Sequence, residues 1–98
     1  MNEYMITTNL VSSFSEEFIA MIPEQRAQVN RLMEKGILTS YSLSADRRTL
    51  WITLLATSRD AAERTLQMMP MHRFMQSEII ELLFHNAPVY APMKFSVN

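Results

Sequence analysis

Cysteine is absent from the 98 residues, and glycine occurs once, as Gly36. The first absence excludes disulfides, thiolate catalysis and zinc sites built on cysteine. The second excludes a glycine-rich phosphate loop, and with it nucleotide cofactors held in that way. No run approaches the ~20 consecutive apolar residues that cross a bilayer, and the opening Met1-Asn-Glu-Tyr-Met5 has no basic segment ahead of an apolar one. A soluble, cytoplasmic protein with no membrane partner is therefore expected. There is no excess of either charge: nine Lys and Arg stand against ten Asp and Glu, a net of -1. Such a surface has no field to attract a phosphate backbone, so nucleic acid is not an expected partner. Histidine is scarce too, with His72 and His85 the two examples. With Glu78 or Glu81 they form no metal-ligand spacing, and neither a metal nor another cofactor is expected.

What is present is apolar. Hydrophobic residues make up 48% of the chain and charged residues 19%. A chain of this length buries about 65% of the surface its unfolded form exposes. The composition leaves apolar surface over for a partner. Tyr4 to Val11 alternates as a strand, and Ser13 with Glu16 three residues on fits a capping box at a helix start. Phe18, Ile22, Val29 and Leu32 then share one helical face. Pro23 cannot sit inside a helix, so it breaks the run and starts a second helix as a first-turn residue. Gly36, just past Leu32-Met-Glu-Lys35, reads as the helix stop. Two β-like runs follow, Ile37–Leu43 and Thr49–Leu55, joined by the polar Ser44-Ala-Asp-Arg-Arg48 as a hairpin. Alternation puts Tyr41 on one face with Thr39 and Leu43. Ser58 caps a further helix with Ala62, Leu66 and Met69 as its stripe, and Pro70 ends it. Met71–Gln76 is a connector, Ser77–Phe84 a last strand, and 87–98 an apolar, proline-containing extended tail.

The order strand, helix, strand, strand, helix, strand is the ferredoxin-like βαββαβ arrangement, an α+β domain over 1–98 with a four-stranded antiparallel sheet. Its helices cover one sheet face. The other exposes Trp51, Leu55, Ile79 and Leu83, or the alternates, depending on register. A second copy packing on that face makes a homodimer or a higher homo-oligomer, and the tail is a candidate to reach across to it. The RNA-binding version of this topology needs basic and aromatic residues on the third strand, which Arg48-Thr-Leu-Trp-Ile-Thr53 lacks.

Three segments carry a family resemblance: the proline-started, glycine-ended Ile22–Gly36; Tyr41–Arg48 with the strand holding Trp51; and Ala62–Met75 ahead of a strand rich in Ile and Glu. Together they resemble the muconolactone isomerase-like and YciI-like branch of the dimeric α+β barrel superfamily. The resemblance implies a small-molecule pocket between sheet and helices. It also implies a cofactor-independent proton transfer on an unsaturated organic acid or lactone, which needs a base and a polar group to hold the enolate. Anchored on Gly36, the acidic residue that muconolactone isomerases carry on the first helix falls at Glu24 or Gln25. At Gln25 the proton acceptor would be missing. The His and Asp dyad of some YciI-like proteins has no counterpart, because no histidine precedes His72, and this counts against dehalogenase-like or peroxidase-like activity.

The residues themselves nominate a site. His72, in a connector and with an ordinary pKa near neutrality, is a candidate base, as is Glu24. The Tyr41 hydroxyl can steady an enolate. Gln25, a polar residue on the apolar stripe, and Arg26 are candidates for holding substrate, with Trp51 and Arg73 beside them. Met68, Met69, Met71 and Met75 offer an adaptable apolar wall. The alternatives are a non-catalytic ligand-binding or assembly module on the same fold and a cofactor-free monooxygenase.

Overall fold

Ile6 lies between Ile52 on one neighbouring strand and Ile79 on the other, and this row of isoleucines marks the centre of the molecule. The computed structural model describes residues 1–87. Beyond Ala87, the extended tail expected from the sequence lies outside the described residues. In chain order the elements are strand β1 (Asn2–Leu10), helices α1 (Glu16–Ala20) and α2 (Ile22–Glu34), strands β2 (Leu38–Leu43) and β3 (Thr49–Ala56), helix α3 (Arg59–Gln67), a single 3₁₀ turn (His72–Phe74) and strand β4 (Met75–Glu81). The sheet runs β2-β3-β1-β4 with every neighbour antiparallel, the ferredoxin-like arrangement expected from the sequence. The helices lie on one face over a core built from Tyr4, Ile6, Ile52, Leu54, Leu32 and Leu66.

Local chemistry explains where the elements begin and end. Pro23 occupies the first turn of α2, where its missing N–H costs nothing, so the helical run is broken as expected. At the other end Gly36 takes φ +73°, its N–H donates to the Met33 carbonyl, and the Ile37 N–H reaches back to Leu32. These are the paired bonds of a Schellman cap. Ser58 caps α3 by accepting from the Ala61 N–H at 3.1 Å. The cap of α1 differs from the expected box. Ser12 turns the chain out of β1 at φ +56°, which makes Ser15 the capping residue, accepting from the Phe18 N–H at 3.2 Å.

Two parities also differ from simple alternation. β4 starts at Met75 and ends at Glu81, and its pairing with β1 turns Ile79 toward the helices and Ile80 away. The outer face therefore carries Met5, Trp51, Leu55 and Ile80, while Ile79 packs on the core. On β2 the register slips between Leu38 and Ser40. Thr39 and Ser40 both bring their hydroxyls to the Thr53 Oγ1, each at 2.6 Å. A bulge of this kind sets two residues against one. It turns Leu38, Tyr41 and Leu43 to the inner face, and Thr39 is not on Tyr41's face as alternation predicts.

Candidate functional site

A cavity of about 260 Å³ opens where α1 and the first turns of α2 cross the end of the sheet formed by β2 and β3. Its apolar wall comes from Phe18 and Ile19 of α1, Ile22 of α2, Leu43 and Leu50 of the hairpin, and Met71. Phe74 stacks edge-on against Phe18 with ring centres 5.3 Å apart, which backs that wall. The polar groups are few: Ser13, Gln25, Arg26, Tyr41 and Arg47. A concave apolar site with a small set of convergent polar groups is the usual form of a small-molecule pocket. Through Leu10, Ser13 and Phe14 it continues into a shallower groove of about 490 Å³ that adds Ser12, Ser15 and Arg48.

Gln25 is the centre of the site. It is only 3% exposed, and a buried amide must be bonded to be tolerated. Its Oε1 accepts from the Met71 N–H at 3.1 Å, and its Nε2 donates to the Tyr41 Oη at 3.2 Å and to the Met69 Sδ at 3.4 Å. The amide thus joins α2, β2 and the segment after α3. Burial pushes the Tyr41 phenol above its ordinary pKa, and the hydrogen bond from Gln25 works against that rise. Tyr41 is therefore a neutral hydrogen-bonding group at physiological pH. Among the described residues, neither Arg26 nor Arg47 is in a salt bridge, so both guanidinium groups are available at the cavity.

The structure brings Gln25, Arg26 and Tyr41 together at this cavity, three of the residues singled out from the sequence, and leaves the others elsewhere. His72 is exposed on the 3₁₀ turn and Glu24 is exposed on the first turn of α2, and neither lines the cavity. Arg73 is held by Glu17 at 2.6 Å and lies over the Phe74 ring. Trp51 points out of the opposite face of the sheet, where it pairs with Thr7 and Ser42. Of the methionines, Met71 lines the cavity and Met69 and Met75 are core, while Met68 is exposed. Arg47 and Ser13 are cavity residues that the sequence did not single out. Arg47 sits at φ +65° in the hairpin turn, and a cation at a turn gives no hint of which helix the turn meets. His85 is exposed, with Nδ1 3.2 Å from a Glu3 carboxylate oxygen that also accepts from Thr39. Among the described residues no three carboxylate or imidazole groups converge as metal ligands, and no helix is long and apolar enough to cross a membrane.

No family model matches this sequence, and no curated protein matches it. Solved structures do. The crystal structure of a muconolactone isomerase superposes with a TM-score of 0.69 over 91% of this chain and 96% of that one, at 15% identity. The chain shares that protein's fold. At this identity the likeness speaks for architecture, and function must be argued from the cavity.

Proposed function

We propose that the cavity binds a small unsaturated organic acid or lactone, and that the chain works without a cofactor as a ligand-binding protein. The observation that carries this reading is the makeup of the cavity: an apolar wall, a neutral phenol fixed by Gln25, and two guanidinium groups, Arg26 and Arg47, at its rim. Guanidinium is well matched to a carboxylate, while the phenol suits a carbonyl oxygen. No carboxylate or imidazole among the described residues lines the cavity, so the site has hydrogen-bond donors but no proton acceptor of ordinary basicity. Binding without turnover follows from that composition.

The test is thermal unfolding in the presence of sorbate or the unsaturated lactone 5,6-dihydro-2-pyranone, with hydrogen exchange of each compound followed in deuterated solvent. A ligand at ten times its Kd stabilises the native state by about 1.4 kcal/mol, which for a chain this size raises the Tm by roughly 5–10 °C. Stabilisation without solvent exchange is expected. No stabilisation by either compound refutes the reading.

The shared fold favours a second reading, proton transfer on an unsaturated lactone as in muconolactone isomerase. There Tyr41 would hold the enolate oxygen, and Glu24 or His72 would have to reach the substrate from outside the present cavity wall. Incorporation of deuterium into a bound lactone, lost in Glu24→Gln or His72→Ala, distinguishes it. A cofactor-free monooxygenase would instead consume oxygen.

Assembly is part of the proposal. The helices cover one face of the sheet, and Met5, Trp51, Leu55 and Ile80 share the other, with Trp51 43% and Ile80 51% exposed. A second copy of the chain, sheet against sheet, removes that apolar surface from water.

A further inference from the structure

We propose that Gln25 is a positioning residue that commits the Tyr41 hydroxyl to donate into the cavity, so that the site selects a ligand presenting an acceptor oxygen there. The inference rests on the cavity being a ligand site and adds the polarity of its central contact.

A backbone N–H only donates, and that of Met71 meets a Gln25 side-chain atom at 3.1 Å. That atom must be the amide oxygen, which settles the orientation of the whole amide without reference to the other contacts. The NH2 group then points the other way, and its two hydrogens go to the Tyr41 Oη and the Met69 Sδ. Tyr41 is left as the acceptor in that bond. A phenol has one hydrogen, and among the described residues nothing accepts it. Tyr41 lines the cavity, so that hydrogen is available to an occupant.

The choice of glutamine follows. Glutamate at this position would accept from both Met71 and Tyr41, drawing the phenolic hydrogen away from the cavity. Asparagine is one methylene too short to bridge α2 to both partners. A ligand offering a carbonyl or carboxylate oxygen at Tyr41 completes the chain Met71, Gln25, Tyr41, ligand. One offering only a donor or a C–H leaves a half-buried hydroxyl unpaired, which costs roughly tenfold or more in affinity.

The experiment separates the polarity from the ligand. Ionisation of Tyr41 is followed by ultraviolet absorbance as the difference between the intact protein and Tyr41→Phe. If Gln25 donates to the phenol it favours the phenolate, so Gln25→Leu and Gln25→Met raise the Tyr41 pKa. If Tyr41 instead donates to Gln25, those substitutions lower it, and a fall or no change overturns the proposal. The unsubstituted protein gives a second readout that survives poor folding of the variants. Nuclear Overhauser contacts from the Gln25 NH2 protons to the Tyr41 ring and the Met69 methyl are expected, and strong contacts to the Met71 amide proton overturn it. In the ligand arm, affinity for 5,6-dihydro-2-pyranone falls about tenfold in Tyr41→Phe and in Gln25→Glu, with little further loss in the double variant. Failure of the intact protein to bind the lactone overturns the cavity reading and its selectivity, while the titration still decides the polarity.

Discussion

If a second copy covers the outer sheet face, Trp51 is the residue whose removal should be felt most. It keeps 43% of its surface in water, flanked by Thr7 and Ser42 on the neighbouring strands. A tryptophan presents up to ~250 Å², so roughly 110 Å² remains to be covered, worth about 2.7 kcal/mol at ~25 cal/mol per Å². A two-fold interface buries the same patch twice, which brings the total to about 5 kcal/mol for complete coverage. The rotational and translational cost of association is the same for both proteins and cancels in the comparison. Trp51→Ala should therefore raise the dimer dissociation constant by nearly four orders of magnitude, and Trp51→Glu by more, because a carboxylate would also face its own symmetry mate. Sedimentation velocity across a concentration series reads this directly, with far-UV circular dichroism confirming that the fold is kept. Equal dissociation constants for the intact protein and Trp51→Ala would refute the reasoning, and so would a monomeric intact protein at micromolar concentration.

Tyr41→Phe leaves one Gln25 hydrogen without its partner, and a loss of about 1 kcal/mol should lower the Tm by roughly 4–8 °C in a thermal scan. Gly36→Ala meets no atom within 4 Å, so its cost is purely conformational, about 1–2 kcal/mol for a non-glycine at φ +73°, and Gly36→Asn should recover part of it in urea titrations. Ser58→Ala removes the cap of α3 and should cost about 1 kcal/mol by the same measurement. The Asp46 carboxyl is held below its ordinary pKa first by the Ser44 hydroxyl and then by the Arg48 N–H. Its contribution is present above the unfolded carboxylate pKa and lost as the pH falls through the lowered folded one. Asp46→Asn should therefore lower stability in the neutral region, leave it unchanged where the carboxyl is already protonated, and so flatten the acid limb of the curve in urea titrations at a series of pH values.

Punctuation in the sequence was legible because its chemistry is local. Pro23, Gly36 and Ser58 each act within one turn of backbone, and each stands where the pattern placed it. The inward face of α2 was legible for the same reason, and it carried Gln25 to the cavity. What sequence periodicity could not resolve is long-range parity. Whether Trp51 or Ile52 looks inward depends on the partner strands, and whether Ile79 or Ile80 does depends on where β4 begins to pair with Leu10. His72 and Arg73 fell in a connector with no period, so nothing in the chain said which way they faced. The 3₁₀ turn buries Phe74 and leaves both of them outside. The Ser15 cap was missed because Ser12, Ser13 and Ser15 are chemically equivalent until the turn at Ser12 selects among them.

The slipped register on β2 ties the two surfaces of the sheet to each other. One supernumerary residue, anchored by a pair of hydroxyls on Thr53, determines that Tyr41 looks at the helices and Ser42 looks away. Pairing Leu38 to Leu43 in plain alternation, with no residue set aside at the bulge, would exchange those two side chains and leave Gln25 facing a serine, whereas deleting Thr39 would straighten the strand and keep Tyr41 inward. The recognition chemistry on one side is thus dictated by a knot of threonine and serine on the other, and neither surface can be redrawn along this strand without redrawing both.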